Sequence, residues 1–150
     1  MPNLSDPIVL GLLEVRLARL RPDSHRRWGT LSPGEMFCHL ADSTDRVLAH
    51  PGGPSGPNRP FYKWLVLRSP LPWPKGIRTL PSVDPRREGS RPTAFESDRN
   101  RLILGLRNLA AAAAAQLPAW HPVLKTAMSA EDWKAWAWRH ADHHLKQFGL

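Results

Sequence analysis

The sequence predicts an all-α protein, a four-helix bundle with a long Pro- and Arg-rich loop covering one end, as a single domain over residues 1–150. Three observations predict it. Four stretches carry apolar residues at three- and four-residue steps, each opens on a capping residue, and none of the remaining sequence shows a convincing strand alternation. The 150 residues, 41% of them apolar, suffice for one core that buries roughly two thirds of the unfolded surface.

Asp6 followed by Pro7 supplies an N-cap with proline at the first helical position, and Val9, Leu12, Leu13, Leu17 and Leu20 form the stripe of a first helix over about residues 7–20. Ser32, three residues before Glu35, with Pro33 between them, combines a capping box with an N1 proline and starts a second helix that runs to about Ala49. The following "PGGPSGPNRP" is a loop, because its prolines lack a backbone donor and its glycines cost the most to order. "FYKWLVL" reads as a short helix, with a buried strand as the alternative.

From Pro70 to Pro92 six prolines and a cluster of arginines exclude regular structure, and so long a stretch in a small domain reads as a functional cover. Thr93 caps a third long helix whose stripe is Phe95, Leu102, Leu106, Leu109, Ala113 and Leu117, ended by Pro118; the alanines from Ala110 to Ala115 read as packed helix. Ser129, with Asp132 three residues on, caps a fourth helix to about Gln147.

The net charge of +8 favours anionic partners without selecting among nucleic acid, membrane surface and acidic small molecules. Basic residues scattered over loops and helix edges argue against a nucleic-acid face. The start lacks the pattern of a signal peptide, no run approaches the ~20 apolar residues of a membrane span, and the one cysteine, Cys38, excludes an internal disulfide. A cytoplasmic protein is the expectation.

The chemistry is concentrated in histidines. At about 100° per residue, with Trp133 at zero, His140 and His144 fall near −20° and 20°, between Trp136 near −60° and Ala137 near 40°. Both rings therefore head inward, about 6 Å apart in rise, close enough to share one ion at about 2.1 Å. His39 shares the inward stripe of Met36, Leu40, Ser43 and Val47 on the second helix. If those helices are neighbours, the three histidines make a site with an open position; otherwise they are imidazoles satisfied in the core or favoured at a helix C-terminus. His143 lies on the shoulder near −80°. Glu35 and Asp42, each about one turn from His39, are candidates to accept a ring N–H, and Gln147 a polar contact one turn beyond His144. Trp136 and Trp133 are core or pocket wall, Cys38 a small buried hydrophobe, Asp142 a surface residue, His121 a turn residue, and His25 and His50 solvated.

"RRWGTLSPGEMFCHLADS" and "WHPVLKTAMSAEDWKAWAWRHADHHLKQF" together resemble the DinB-like superfamily of metal-binding four-helix bundles, in a branch with a terminal HxxxH before Gln-Phe. The resemblance covers both ends, about residues 12–50 and 119–149. It implies a divalent metal, zinc or nickel, held by His39, His140 and His144, and a possible homodimer. It also implies a metal-dependent enzyme, a transferase that activates a low-molecular-weight thiol such as bacillithiol or mycothiol, or a hydrolase that activates water. A non-catalytic, metal-stabilised binding protein is the alternative. Arg78, Arg86, Arg87 and Arg91 in the cover are then the candidates to attract an anionic thiol or electrophilic substrate. No residue stands out as a general acid or base.

Overall fold

The computed structural model describes residues 2–49 and 56–150. Five helices follow in order: α1 (Pro7–Ala18), α2 (Pro33–Ala49), α3 (Pro60–Leu67), α4 (Phe95–Ala111) and α5 (Ala130–Gln147). The four long ones form the bundle, with α2 along α4, α1 against α4 and α5, and α2 beside α5. A two-residue hairpin pairs Trp120–His121 antiparallel with Thr126–Ala127 and is the only β-structure among the described residues. His50 and the first part of the proline-glycine loop lie outside the described residues.

Three of the four expected caps form. Asp6 Oδ1 accepts from the Ile8 N–H at 2.8 Å, and Ser32 and Glu35 exchange bonds of 2.7 and 3.2 Å, each side chain on the other's backbone N–H. Ser129 and Asp132 repeat the capping box on α5. "FYKWLVL" is helical, with Pro60 as its first residue.

The core joins Leu13 and Leu17 of α1, Phe37 and Leu40 of α2, Leu102, Leu106 and Leu109 of α4, and Trp133 and Leu145 of α5. Gly105 lets α2 approach α4, since a Cβ there would stand 2.5 Å from Thr44 Oγ1.

Several expectations need correction. On α1 the buried side is Leu13 and Leu17, while Leu12 is exposed with Ile8 and Val15, so the apolar residues there form two faces and only one is packed. The helix ends at Ala18, and Leu20 is buried from the turn that follows. The N-cap position of α4 is Ala94; Thr93 instead donates its N–H and hydroxyl to Asp98. The alanine run does not stay helical. Ala112 turns extended (φ −62°, ψ 134°), so Ala113 and Leu117 leave the α4 stripe, and Leu117 is buried from the connection instead. That connection is held by Gln116 Oε1, which accepts from the Ala113 N–H at 2.8 Å, and by Trp133 Nε1, which donates to the Pro118 carbonyl at 2.6 Å. Asp142 is buried rather than on the surface: Arg16 on α1 reaches it at 2.7 Å, as does Lys146.

Candidate metal centre

The residues 71–92 are ordered as a cover. Pro81–Val83 makes one 3₁₀ turn against α2, Asp84 folds the next residues back on themselves, and Ser90 donates to Asp42 through its N–H and hydroxyl, both at 2.7 Å. Arg86 grips Glu35 with two bonds of 2.7 Å. On the other side Trp73 Nε1 donates to the Val66 carbonyl, and Arg139 of α5 donates to the carbonyls of Ser69 and Leu71. Between cover and bundle lies a cavity of about 1150 Å³, walled by Trp28, Trp73, Trp136, His121, Arg78 and Arg87 among others.

His39, His140 and His144 meet at its wall. Their ring centroids are 4.8 to 5.0 Å apart, and their potential ligand atoms, one from each ring, lie within 4.8 Å of one another. His39 Nδ1 is 2.8 Å from the Val83 carbonyl, which only accepts; Nδ1 therefore carries the proton and Nε2 keeps a lone pair. That Nε2 is 3.1 Å from His140 Nε2. His144 Nδ1 donates in the same manner to Gln147 Oε1 at 3.0 Å. His39 and His144 are buried, and His140 is partly exposed.

Burial disfavours the charged ring in all three. It lowers His39 against the pull of the Val83 bond, drives His140 well down with the neighbouring His144 and His39 adding to it, and puts His144 at about 3. At neutral pH the cluster is three uncharged imidazoles. Neutral nitrogens converging from two helices, two of them with the far ring nitrogen tied to a carbonyl oxygen, fit a divalent cation that favours imidazole. The three histidines could hold such an ion.

The other candidates divide. Gln147 touches the cluster through His144. Trp136 lies 4.9 Å from the His140 ring and forms cavity wall. His143 also lines the cavity, edge-on to Trp28 at 4.9 Å and 5.7 Å from Trp73, with burial pushing it down to about 4, but its ring is outside the converging set. Glu35 and Asp42 do not take the His39 ring proton, because the Val83 carbonyl does. Glu35 is instead held at about 2 by its bonds to Arg86, and Asp42 pairs with Arg101 at 2.7 Å. Arg78, Arg86 and Arg87 line the cavity and Arg91 does not. Cys38 is buried, which raises its thiol to about 11, and His25 is exposed.

Sequence reasoning missed the residues that brace the cluster. Val83 contributes a carbonyl, which no side-chain pattern discloses. Trp28 and Gly29 could have been read from the "WGT" stretch: Arg27 N–H donates to the Gln147 carbonyl at 2.6 Å, and Gly29, at φ +82°, packs where a Cβ would be 2.8 Å from Gln147 Nε2. His121 does hold a turn, but it is buried against Trp133 and belongs to the cavity wall.

No helix among the described residues is long and apolar enough to cross a membrane. No curated protein and no solved structure matches the chain. A family model described as the DinB superfamily matches residues 11–148, nearly the whole length and both segments that bear the histidines. The chain belongs to the DinB superfamily.

Proposed function

We propose that the protein is a metal-dependent enzyme in which His39, His140 and His144 hold one zinc or nickel ion and the adjoining cavity takes a low-molecular-weight thiol with its electrophilic partner. The observation that supports it most is the convergence of three neutral imidazoles at a partly exposed His140 beside a cavity of about 1150 Å³. A site meant only to brace the fold has no use for such a space.

A divalent cation with an open position supplies Lewis acidity, which lowers the pKa of a bound thiol or water. The protein's own groups do the rest. Val83 and Gln147 fix the tautomers of His39 and His144, so that both point Nε2 inward. Trp28, Trp73 and Trp136 exclude water and give an apolar body somewhere to lie. Arg78 and Arg87 put positive charge at the wall for an anionic thiol, whereas Arg86 is neutralised by Glu35 and serves to hold the cover. In thiol transfer the sulfur–carbon bond forms, the leaving group departs with its electron pair, and the thiol proton goes to solvent; no side chain is assigned as general base.

Thiols of differing charge, each offered with a chromogenic alkylating electrophile, test the proposal in metal-loaded protein beside His140→Ala. Turnover that needs His140 and favours anionic thiols is expected. Rates equal to the variant for every thiol, with no ester or amide hydrolysis either, would leave a metal-stabilised binding protein as the better reading.

A further inference from the structure

His121 stands on the short hairpin, 5% exposed, with its ring flat on Trp133 at 5.0 Å and edge-on to Trp136 at 5.4 Å. Its Nδ1 accepts from two backbone N–H groups, Val123 at 3.2 Å and Leu124 at 3.1 Å. Backbone N–H groups only donate, so this nitrogen is bare and the ring proton sits on Nε2. Among the described residues, Nε2 of His121 is the buried side-chain polar atom without a hydrogen-bond partner.

A buried donor left unpaired is costly, and the turn does not require one. Asparagine would accept from the same two N–H groups, and phenylalanine would stack as well on Trp133. Trp136 offers Nε2–H at best a contact with its ring, which is a weak substitute for an oxygen. The ring lines the same cavity as His140, and Trp136, half-buried between them, lies 4.9 Å from His140. Nε2 is buried, so an occupant reaches it only when a neighbouring side chain such as Trp136 turns aside.

We propose that His121 is a specificity-determining residue of this cavity, whose Nε2–H donates to a carbonyl oxygen of a ligand with an aromatic or alkyl body lying along Trp136. A neutral ring with a single proton suits an uncharged acceptor, so the class is an apolar ketone, ester or amide. That this ligand is the electrophile of the enzyme rests on the metal-site reading; the donor itself does not.

The test uses metal-free protein and two probes of one shape, propiophenone and propylbenzene, which differ by the carbonyl oxygen. Binding is followed by tryptophan fluorescence in the native chain and in His121→Asn, which keeps the acceptor for Val123 and Leu124. The preference for the ketone is expected to be about tenfold greater in the native chain, equivalent to about 1.4 kcal/mol. As a second readout, the His121 Nε2–H proton resonance of the native chain should move with propiophenone and stay with propylbenzene; this decides the matter should the variant not fold. Equal preference in both chains, or a resonance indifferent to the ketone, overturns the proposal. Because no metal is present, that failure leaves the metal site untouched, and a failed metal site leaves this result standing.

Discussion

His39 Nε2 stands 3.1 Å from His140 Nε2 across the boundary between α2 and α5. Since Val83 fixes the His39 proton on Nδ1, the proton shared in this contact belongs to His140 Nε2. In metal-free protein, nitrogen-resolved NMR should therefore find His39 as the Nδ1–H tautomer and His140 as Nε2–H. Adding zinc should move the His140 proton off Nε2 while His39 keeps its own. Unchanged tautomers at saturating zinc would place the ion elsewhere.

The pH dependence of stability follows from burial. His121 and His144 sit at about 4 and 3 in the folded chain against an ordinary 6.5. Between those values the unfolded chain binds more protons, so stability is complete above pH 6.5 and falls as the solution is acidified. Each of the two costs at most about 1.4 kcal/mol per pH unit in that window. Below about 4.5 the unfolded chain also protonates Glu35 and Asp132, which the folded chain holds at about 2, Glu35 through Arg86 and Asp132, against its own desolvation, through Ser129, Lys63 and Arg68, so the loss continues. Urea unfolding of metal-free protein from pH 7.5 to 4.5 checks this; a flat profile over that range contradicts the buried neutral rings.

Gly29 and Gln147 should act together. A Cβ at residue 29 meets Gln147 Nε2 at 2.8 Å and sits at φ +82°, so Gly29→Ala is expected to cost about 1–2 kcal/mol and to push Gln147 off His144. Gln147→Ala should lower zinc affinity about 10- to 100-fold with little change in helicity. Thermal melts and metal titrations of both variants separate the two effects.

The buried Asp142 predicts that Asp142→Ala destabilises more than a surface change, by about 1–3 kcal/mol, because Arg16 loses its carboxylate in a half-buried setting and keeps only the Leu150 carbonyl. Denaturant titration measures it. By contrast Arg86→Ala, at an exposed pair, should shift stability by about 1 kcal/mol or less yet speed amide exchange over residues 81–89.

The helices and three of their caps were legible because each rests on near neighbours in sequence, the capping pairs being only two or three residues apart: Asp6 with Ile8, Ser32 with Glu35, Ser129 with Asp132. The inward direction of His39, His140 and His144 was legible for the same reason, and the adjacency of α2 and α5 turned it into a cluster. What was not legible depends on distant contacts. The alanine run leaves the helix for a connection whose Pro118 carbonyl is held by Trp133, Arg16 draws in an aspartate that the helical wheel places outside, and Val83 presents a backbone oxygen that took the role expected of Glu35 or Asp42. The cover was read correctly as a cover, but its attachment points, Arg86 to Glu35 and Ser90 to Asp42, depend on tertiary approach.

Elemental analysis of purified native protein beside His39→Ala and a His140→Ala, His144→Ala double variant bears on the site most directly. One equivalent of zinc or nickel per chain in the native protein, falling below about a tenth in both variants while helicity by circular dichroism persists, is the expected result. Native protein with no transition metal after equilibration with zinc or nickel, or variants that retain it in full, would contradict a three-histidine centre.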